Sequence, residues 1–246
     1  MRLFLLCIFL CSCSLFAQDD LLSLLSDESL PTKVNATFKG TRVINGQSIE
    51  IPAKRELQFV IQHRFGTINS GAYELWGLDQ ATMRMSLDYG VSETIALGLA
   101  RNSFQKTYEA STKVKMLTQK SDDSSPISIT SYHAVFINSL RWTNPDRENL
   151  FSSRLSYVHQ ILIARKFNRD LSLQISPSYI QRNLVEREAM NNNYFALGFG
   201  GRYKLSNRVS FNAEYFYQFD RPMEAFTNSL SIGFDIETGG HVFQLH

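Results

Sequence analysis

Cysteine is scarce in this 246-residue sequence, and it is confined to the start of the chain. All three cysteines lie within the first 17 residues: Cys7, Cys11 and Cys13. That stretch has a single arginine, an apolar run at 3–10 and small residues before Ala17, which predicts a secretory signal peptide at 1–17. A chain cut after Ala17 keeps no thiol, so disulfides are excluded as a source of stability for the exported protein.

The same stretch allows a second form of processing. Residues 10–13, Leu-Cys-Ser-Cys, loosely resemble a bacterial lipoprotein box in which Cys13 would carry the lipid. The cysteine in the middle of the box fits that pattern poorly. We therefore expect the cut after Ala17 rather than lipidation at Cys13.

Long apolar runs and a strong excess of charge are also absent. No run of about 20 apolar residues follows the leader, which excludes a transmembrane helix. The net charge of +2 gives no basic footprint for nucleic acid. The sequence lacks His-Glu-x-x-His, a cysteine pair beyond the leader and a calcium loop, so we predict no cofactor and no metal. A membrane role would have to come from strands.

The sequence is rich in alternating apolar and polar residues. In KRELQFVIQHRFG, residues 54–66, the apolar Leu57, Phe59 and Ile61 share one parity, and polar or charged residues occupy most of the other. A period of two sends side chains to opposite faces of a strand. The apolar face would meet a protein core in a soluble sandwich, or lipid in an outer-membrane barrel.

Alternating segments of about ten residues recur to the end of the chain, as in strands that cross an outer membrane. We predict strands at 54–65, 81–90, 94–102, 107–118, 127–138, 153–166, 170–181, 193–204, 208–219, 229–237 and from 241. Tight connections tend to fall at one end of the sheet and longer ones at the other; 103–106 and 119–126 are the exceptions. This arrangement favours a barrel over a secreted sandwich.

The predicted fold class is therefore all-β, an antiparallel up-and-down transmembrane β-barrel. Eleven strands are visible, whereas bacterial single-chain barrels usually have an even number, so we expect about 12 in the natural chain, with the last one absent here. The predicted domains are the signal peptide (1–17), an N-terminal periplasmic or plug segment (18–53) and the barrel (54–246). A leucine-rich stretch at 19–30 predicts about two turns of helix.

Several stretches resemble an uncharacterised family of Bacteroidota outer-membrane barrels, known as a domain of unknown function. They are ATFKGTRVINGQSIE, HRFGTINSGAYELWGLDQAT, LSYVHQILIARKF and IETGGHVFQLH, spread from residue 36 to the end. The resemblance implies a barrel fold and the outer membrane of a Gram-negative bacterium. It also implies a chain that continues past HVFQLH, and it brings no activity or functional residues.

Charged residues on the polar parity are the candidate site residues. We predict that they line the lumen: Arg64, Arg84, Asp88, Glu109, Lys113, Lys115, Arg202 and Glu214. They could set the selectivity of a pore, or they could neutralise one another in a filled interior. Small faces at 96–100 and 196–200 leave space that could hold a water path or receive residues 18–53 as a plug. Their glycines could instead serve only the bending that a closed sheet needs.

The leading functional hypothesis is passive passage of small polar solutes through a narrow lumen, with outer-membrane lipid as the other partner and no nucleic acid. The alternative is a plugged structural or partner-docking barrel without conductance, whose protein partners the sequence does not identify. We expect no enzymatic activity. A lipid hydrolase needs a serine in reach of a histidine such as His159, and the nearest serine of its strand on that face is Ser153.

Overall fold

The computed structural model describes residues 31–185, 190–219 and 227–246. The predicted leader (1–17) and the predicted helix (19–30) lie outside the described residues. Most of the described chain is β-strand. No helix in these ranges is long and apolar enough to cross a membrane.

Eleven strands form one antiparallel sheet whose spatial order is the order of the chain. They are β1 Leu57–Phe65, β2 Ala81–Gly90, β3 Ile95–Asn102, β4 Thr107–Leu117, β5 Ser128–Asn138, β6 Leu155–Lys166, β7 Leu171–Arg182, β8 Asn193–Lys204, β9 Val209–Gln218, β10 Ser229–Thr238 and β11 His241–Leu245. Four short 3₁₀ helices lie in the connections: Ile68–Ser70, Ala72–Gly77, Phe104–Lys106 and Phe151–Arg154. The predicted all-β, up-and-down antiparallel fold is confirmed. Across the described residues, no pairing joins β1 to β11.

The strand bounds follow the alternation of the sequence to within three residues. The largest difference is at the start of β1, which was predicted at residue 54 and begins at Leu57. The cause is a turn at Arg55, whose φ of 66° is left-handed and incompatible with a strand. The backbone N–H of Arg55 donates to the Gly90 carbonyl at 2.7 Å, so the turn is fixed against the end of β2.

The two faces of the sheet have opposite chemistry. One face exposes large apolar side chains; Leu99 and Ile232, for example, are 64% and 60% exposed. The other face buries charged and amide groups such as Arg202, Asn212 and Glu214. A soluble protein buries its apolar residues and exposes its charges, so this inverted distribution indicates an outer face that contacts lipid.

A segment of chain that precedes β1 lies against the polar face. We call residues 33–53 the inner segment. Its atoms bond to β4, β5, β7, β9 and β11. Contacts with strands so far apart in the sheet show that the sheet curves around the inner segment. The inner segment therefore occupies the interior that the strands enclose.

The buried apolar core joins the inner segment to β5 and β6. Four side chains of the inner segment belong to it: Phe38, Val43, Ile44 and Ile49. They meet residues of the two strands: Tyr132, Ala134, Leu162 and Ala164, with Phe136 and Val158 at the edge. Burying each large apolar side chain contributes roughly 1.5–3 kcal/mol, so this contact is a substantial part of the fold.

Candidate functional site

The inner segment turns back on itself at Asn45-Gly46. The Val43 N–H donates to the Gly46 carbonyl at 2.9 Å, and the Ser48 N–H donates to the Thr41 carbonyl at 3.0 Å. Asn-Gly is the dipeptide that tight hairpin turns favour. The turn projects the backbone amides at its tip towards β9.

Glu214 of β9 binds the tip of this turn. Its carboxylate accepts the backbone N–H groups of Ile44 at 3.2 Å, Asn45 at 2.8 Å and Gly46 at 3.0 Å. The side chain is buried, and a buried carboxylate is stable only when its oxygens have hydrogen-bond donors. Three consecutive amides supply those donors, so Glu214 is one anchor of the inner segment.

Lys113 of β4 is a second anchor. Its buried ammonium donates to the backbone carbonyls of Thr41 at 2.7 Å, Ser48 at 2.9 Å and Glu50 at 3.1 Å. A lysine has three N–H donors, and here all three have acceptors on the inner segment. Lys113 and Glu214 thus bind opposite polar groups of the same backbone from two separate strands.

Uncharged side chains of other strands add to the hydrogen bonding of the inner segment's backbone. Gln174 of β7 accepts the Ile49 N–H at 3.0 Å and donates to the Gln47 carbonyl at 2.8 Å. The Thr130 hydroxyl of β5 donates to the Ile49 carbonyl at 3.0 Å. A non-regular segment buried inside a sheet must satisfy its backbone groups with wall side chains, and these bonds do so.

The small faces at 96–100 and 196–200 are filled rather than open. Phe216 lies over Gly198, where an added Cβ would come within 2.5 Å of the ring, and Val43 packs against Gly200. Gly98 lies under the side chains of Asp88 and Ser111. Glycine at these positions makes room for side chains of the wall and of the inner segment.

Gly46 shows how closely the inner segment fits, and it provides a test. A Cβ at this position would lie 2.7 Å from Phe216 Cζ and 3.2 Å from Glu214 Oε2. We expect Gly46→Ala to displace the turn, at about 1–3 kcal/mol for overpacking, and to raise proteolysis of residues 33–53 in detergent-solubilised protein. Adding Phe216→Leu should restore resistance; a Gly46→Ala variant as resistant as the parent would contradict this fit.

Three cavities lie along β4 and β5, and they differ greatly in size. One of about 220 Å³ lies at the long-connection end, between Thr107, Glu109 and Phe136. One of about 100 Å³ lies at the other end, beside Lys115 and Ser128. Between them, around Lys113, the free volume is about 20 Å³, roughly the room for one water. We call the two larger cavities the vestibules; the inner segment lies between them.

The eight charged residues singled out from the sequence all lie on the enclosed face, and their role as a solute lining stays a prediction. Three contact the inner segment: Lys113, Glu214 and Lys115, whose Nζ lies 3.9 Å from Glu50. A fourth, Arg64, donates to the Asn45 side chain at 2.6 Å. The other four bond to wall residues: Arg84 to Glu109 at 2.7 Å, Asp88 to Ser86 at 3.4 Å and Arg202 to Ser210 at 2.7 Å.

Sequence reasoning missed Arg42, Tyr132 and Gln174. Arg42 lies on the inner segment, which does not alternate and so gave no prediction of which way its side chains point. The part of the wall that packs against the inner segment does have a recognisable sequence pattern. On β6, Leu162 and Ala164 are apolar on the enclosed parity while the outward parity is apolar too, a pattern typical of strands buried on both faces.

His159, the histidine considered for catalysis, lies on the outer face together with His133 and His63. His133 Nδ1 is 2.8 Å from His159 Nδ1, and Tyr179 stacks on His159. His63 stacks beside Phe65 at the start of the first long connection. Among the described residues no serine bonds to a histidine, and no three metal-binding side chains come together.

The sheet is antiparallel and follows the order of the chain, its outer face is apolar, and the face that encloses the inner segment is polar. These features define the membrane β-barrel class of proteins. The chain matches the family model described as "Membrane bound beta barrel domain (DUF5777)" over residues 38–246. Since the match covers most of the chain, the protein belongs to this family. The resemblance to a barrel family of unknown function is confirmed, and the Bacteroidota origin stays a prediction. A search of curated proteins found no match.

Proposed function

We propose that this protein is an exported barrel of a Gram-negative outer membrane whose lumen is closed by the inner segment in its resting state. It acts as a structural or partner-docking barrel rather than as an open pore. The outer face contacts membrane lipid, and the longer connections between strands at one end of the sheet are the proposed docking surface for a partner. We assign the chain no catalytic step and no cofactor.

The two-sided anchoring of the inner segment supports this proposal most strongly. Lys113 donates to three of its backbone carbonyls, and Glu214 accepts three of its backbone amides. Each of these hydrogen bonds is 3.2 Å long or shorter. Charge-assisted hydrogen bonds contribute more than neutral ones, and buried ones are costly to leave unmade. Such a segment is held in place rather than resting loosely in a channel.

The passage of small polar solutes, the hypothesis favoured from the sequence, needs a continuous water path. Where the inner segment meets β4, around Lys113, the cavity is about 20 Å³, which has room for one water and not for a larger solute. A pore would require the inner segment to leave the lumen. We therefore infer that the barrel conducts only after the inner segment has been released.

Conductance in a planar bilayer tests the proposal. We expect the folded full-length protein to be silent and the protein lacking residues 33–53 to show steady unitary steps, because the deletion joins the two vestibules. Heat-modifiability on a gel verifies folding. A deletion of residues 143–148, in the long connection between β5 and β6, is the matched control and should stay silent.

Two results would contradict closure by the inner segment. One is unitary steps from the full-length protein that match those of the deletion variant, which would establish an open pore. The other is silence from the folded deletion variant, which would show that something else fills the lumen. In a protein that conducts, the sign of the reversal potential in a salt gradient would report which lumen charges dominate.

A further inference from the structure

The vestibule at the long-connection end has an unbalanced set of charges. Its cavity of about 220 Å³ is lined by one arginine of the inner segment and by side chains of β2 to β5: Arg42, Arg84, Glu109, Asn102, Thr107 and Tyr132. Two guanidinium groups therefore face one carboxylate. Because the cavity is larger than a few waters, it has room for a small molecule beside these groups.

The carboxylate is already fully engaged by the wall. Arg84 donates to Glu109 Oε2 from Nη2 at 2.7 Å and from Nε at 3.1 Å, and the Tyr132 hydroxyl donates to Oε1 at 3.0 Å. The third side of the Arg84 guanidinium donates to Gln62 at 3.1 Å. Glu109 and Arg84 thus neutralise each other.

Within the described residues, Arg42 keeps donors without an acceptor, and it lines the cavity. Its Nη1 donates to the Asn45 carbonyl at 3.1 Å, whereas its Nη2 lies 3.8 Å from Glu109 Oε1, beyond hydrogen-bond distance. Burial, followed by the nearby positive charge of Arg84, lowers the pKa of Arg42. Arginine stays protonated nonetheless, so the vestibule holds an excess positive charge with free N–H groups.

We propose that this vestibule binds a small oxyanion, a carboxylate or a phosphate, with Arg42 as its principal donor. A guanidinium presents paired N–H groups that match the oxygens of such anions. Arg84 adds charge from one side, and the hydroxyl of Thr107 and the amide of Asn102 lie in the same lining. The inference deepens the proposed function, since it requires the closed inner segment to hold Arg42 in place.

Binding at this position links the ligand to the state of the lumen. Arg42 belongs to the segment that closes the barrel, while Arg84 and Glu109 belong to its wall. An anion that contacts both binds the closed state better than a state in which the segment has left. By linkage, such an anion stabilises the closed lumen, and release of the segment weakens anion binding by the same factor.

Calorimetric titration of the folded full-length protein in detergent, at constant ionic strength, tests this inference. Inorganic phosphate and succinate are the two probes, and they distinguish a phosphate from a carboxylate ligand. We expect Arg42→Gln to weaken binding roughly tenfold or more, because it removes a charge-assisted hydrogen bond. Glu109→Gln should strengthen binding, because it removes the competing carboxylate.

Arg101→Gln is the matched control. Arg101 lies near the same end of the barrel but on the outer face, over the Tyr108 ring, so its loss changes the net charge without touching the vestibule. Equal affinity in the parent and in Arg42→Gln would overturn the inference, and so would absence of binding of both probes to folded parent protein. Binding by a parent that conducts, and its loss in Arg42→Gln, would show that the inner segment stays in place without closing the lumen; that result overturns the closed lumen and leaves the anion site standing.

Discussion

Replacing Lys113 with methionine will convert a silent barrel into one that conducts ions. The substitution keeps the length and apolar stem of the side chain but removes its ammonium, leaving the carbonyls of Thr41, Ser48 and Glu50 without their donor. Losing these charge-assisted bonds destabilises the closed state by about 3 kcal/mol, a net value that allows for the lower cost of burying methionine than an ammonium. The fraction of time in which the segment is released should therefore rise roughly 100-fold. Single-channel recording should show openings that the parent lacks.

Lys115→Met is the control for this variant. Lys115 lies two residues along the same strand, and its contact with Glu50 is a partly exposed ion pair at 3.9 Å. Such pairs contribute about 1 kcal/mol or less, so this variant should remain silent. If the folded Lys113→Met protein were as silent as Lys115→Met, the ammonium would not be what holds the inner segment.

Replacing Glu214 with glutamine should free the tip of the turn. A glutamine amide keeps one acceptor oxygen but presents an NH₂ group, which cannot accept the backbone amides of Ile44, Asn45 and Gly46. Losing about 3 kcal/mol at this contact would raise the exchange rate of those amides roughly 100-fold. Hydrogen–deuterium exchange of a peptide covering residues 41–48 measures the effect.

Asp88→Asn provides the comparison for Glu214→Gln. Asp88 is another carboxylate on the enclosed face, but its hydrogen bond is to the Ser86 hydroxyl and not to the inner segment. Exchange in residues 41–48 should rise far less in this variant than in Glu214→Gln, because Asp88 accepts none of the backbone amides of the turn. Equal exchange in the two variants would show that Glu214 does not fix the turn.

The wall of the barrel was predictable from the sequence because alternation is a local property. Leu57, Phe59 and Ile61 fall on one face whatever the rest of the chain does, and the same rule sets the other strands. The turn at Asn45-Gly46 is a local feature as well, because its chemistry resides in two adjacent residues. Fold class and strand bounds therefore needed no knowledge of distant contacts.

The candidate site depends on contacts that no local pattern encodes. Lys113 lies 65 residues from Ser48, and Glu214 lies 170 residues from Ile44. The position of each charged residue in the alternating pattern predicted that it lies on the enclosed face. That pattern could not predict whether its side chain contacts water, another charged group or the backbone of the inner segment. Arg42 had no parity at all, so the vestibule it completes could not be predicted from the sequence.

The position of the inner segment in the chain has a consequence for the order of assembly. Its residues come before β1, yet their partners extend to β11, where Gln244 donates to the Val43 carbonyl across 201 positions of sequence. Contacts of such long sequence separation form slowly, because the intervening chain must first be ordered. The segment cannot complete its bonds until the last strands are in place, so its docking is finished only after β11 has joined the sheet.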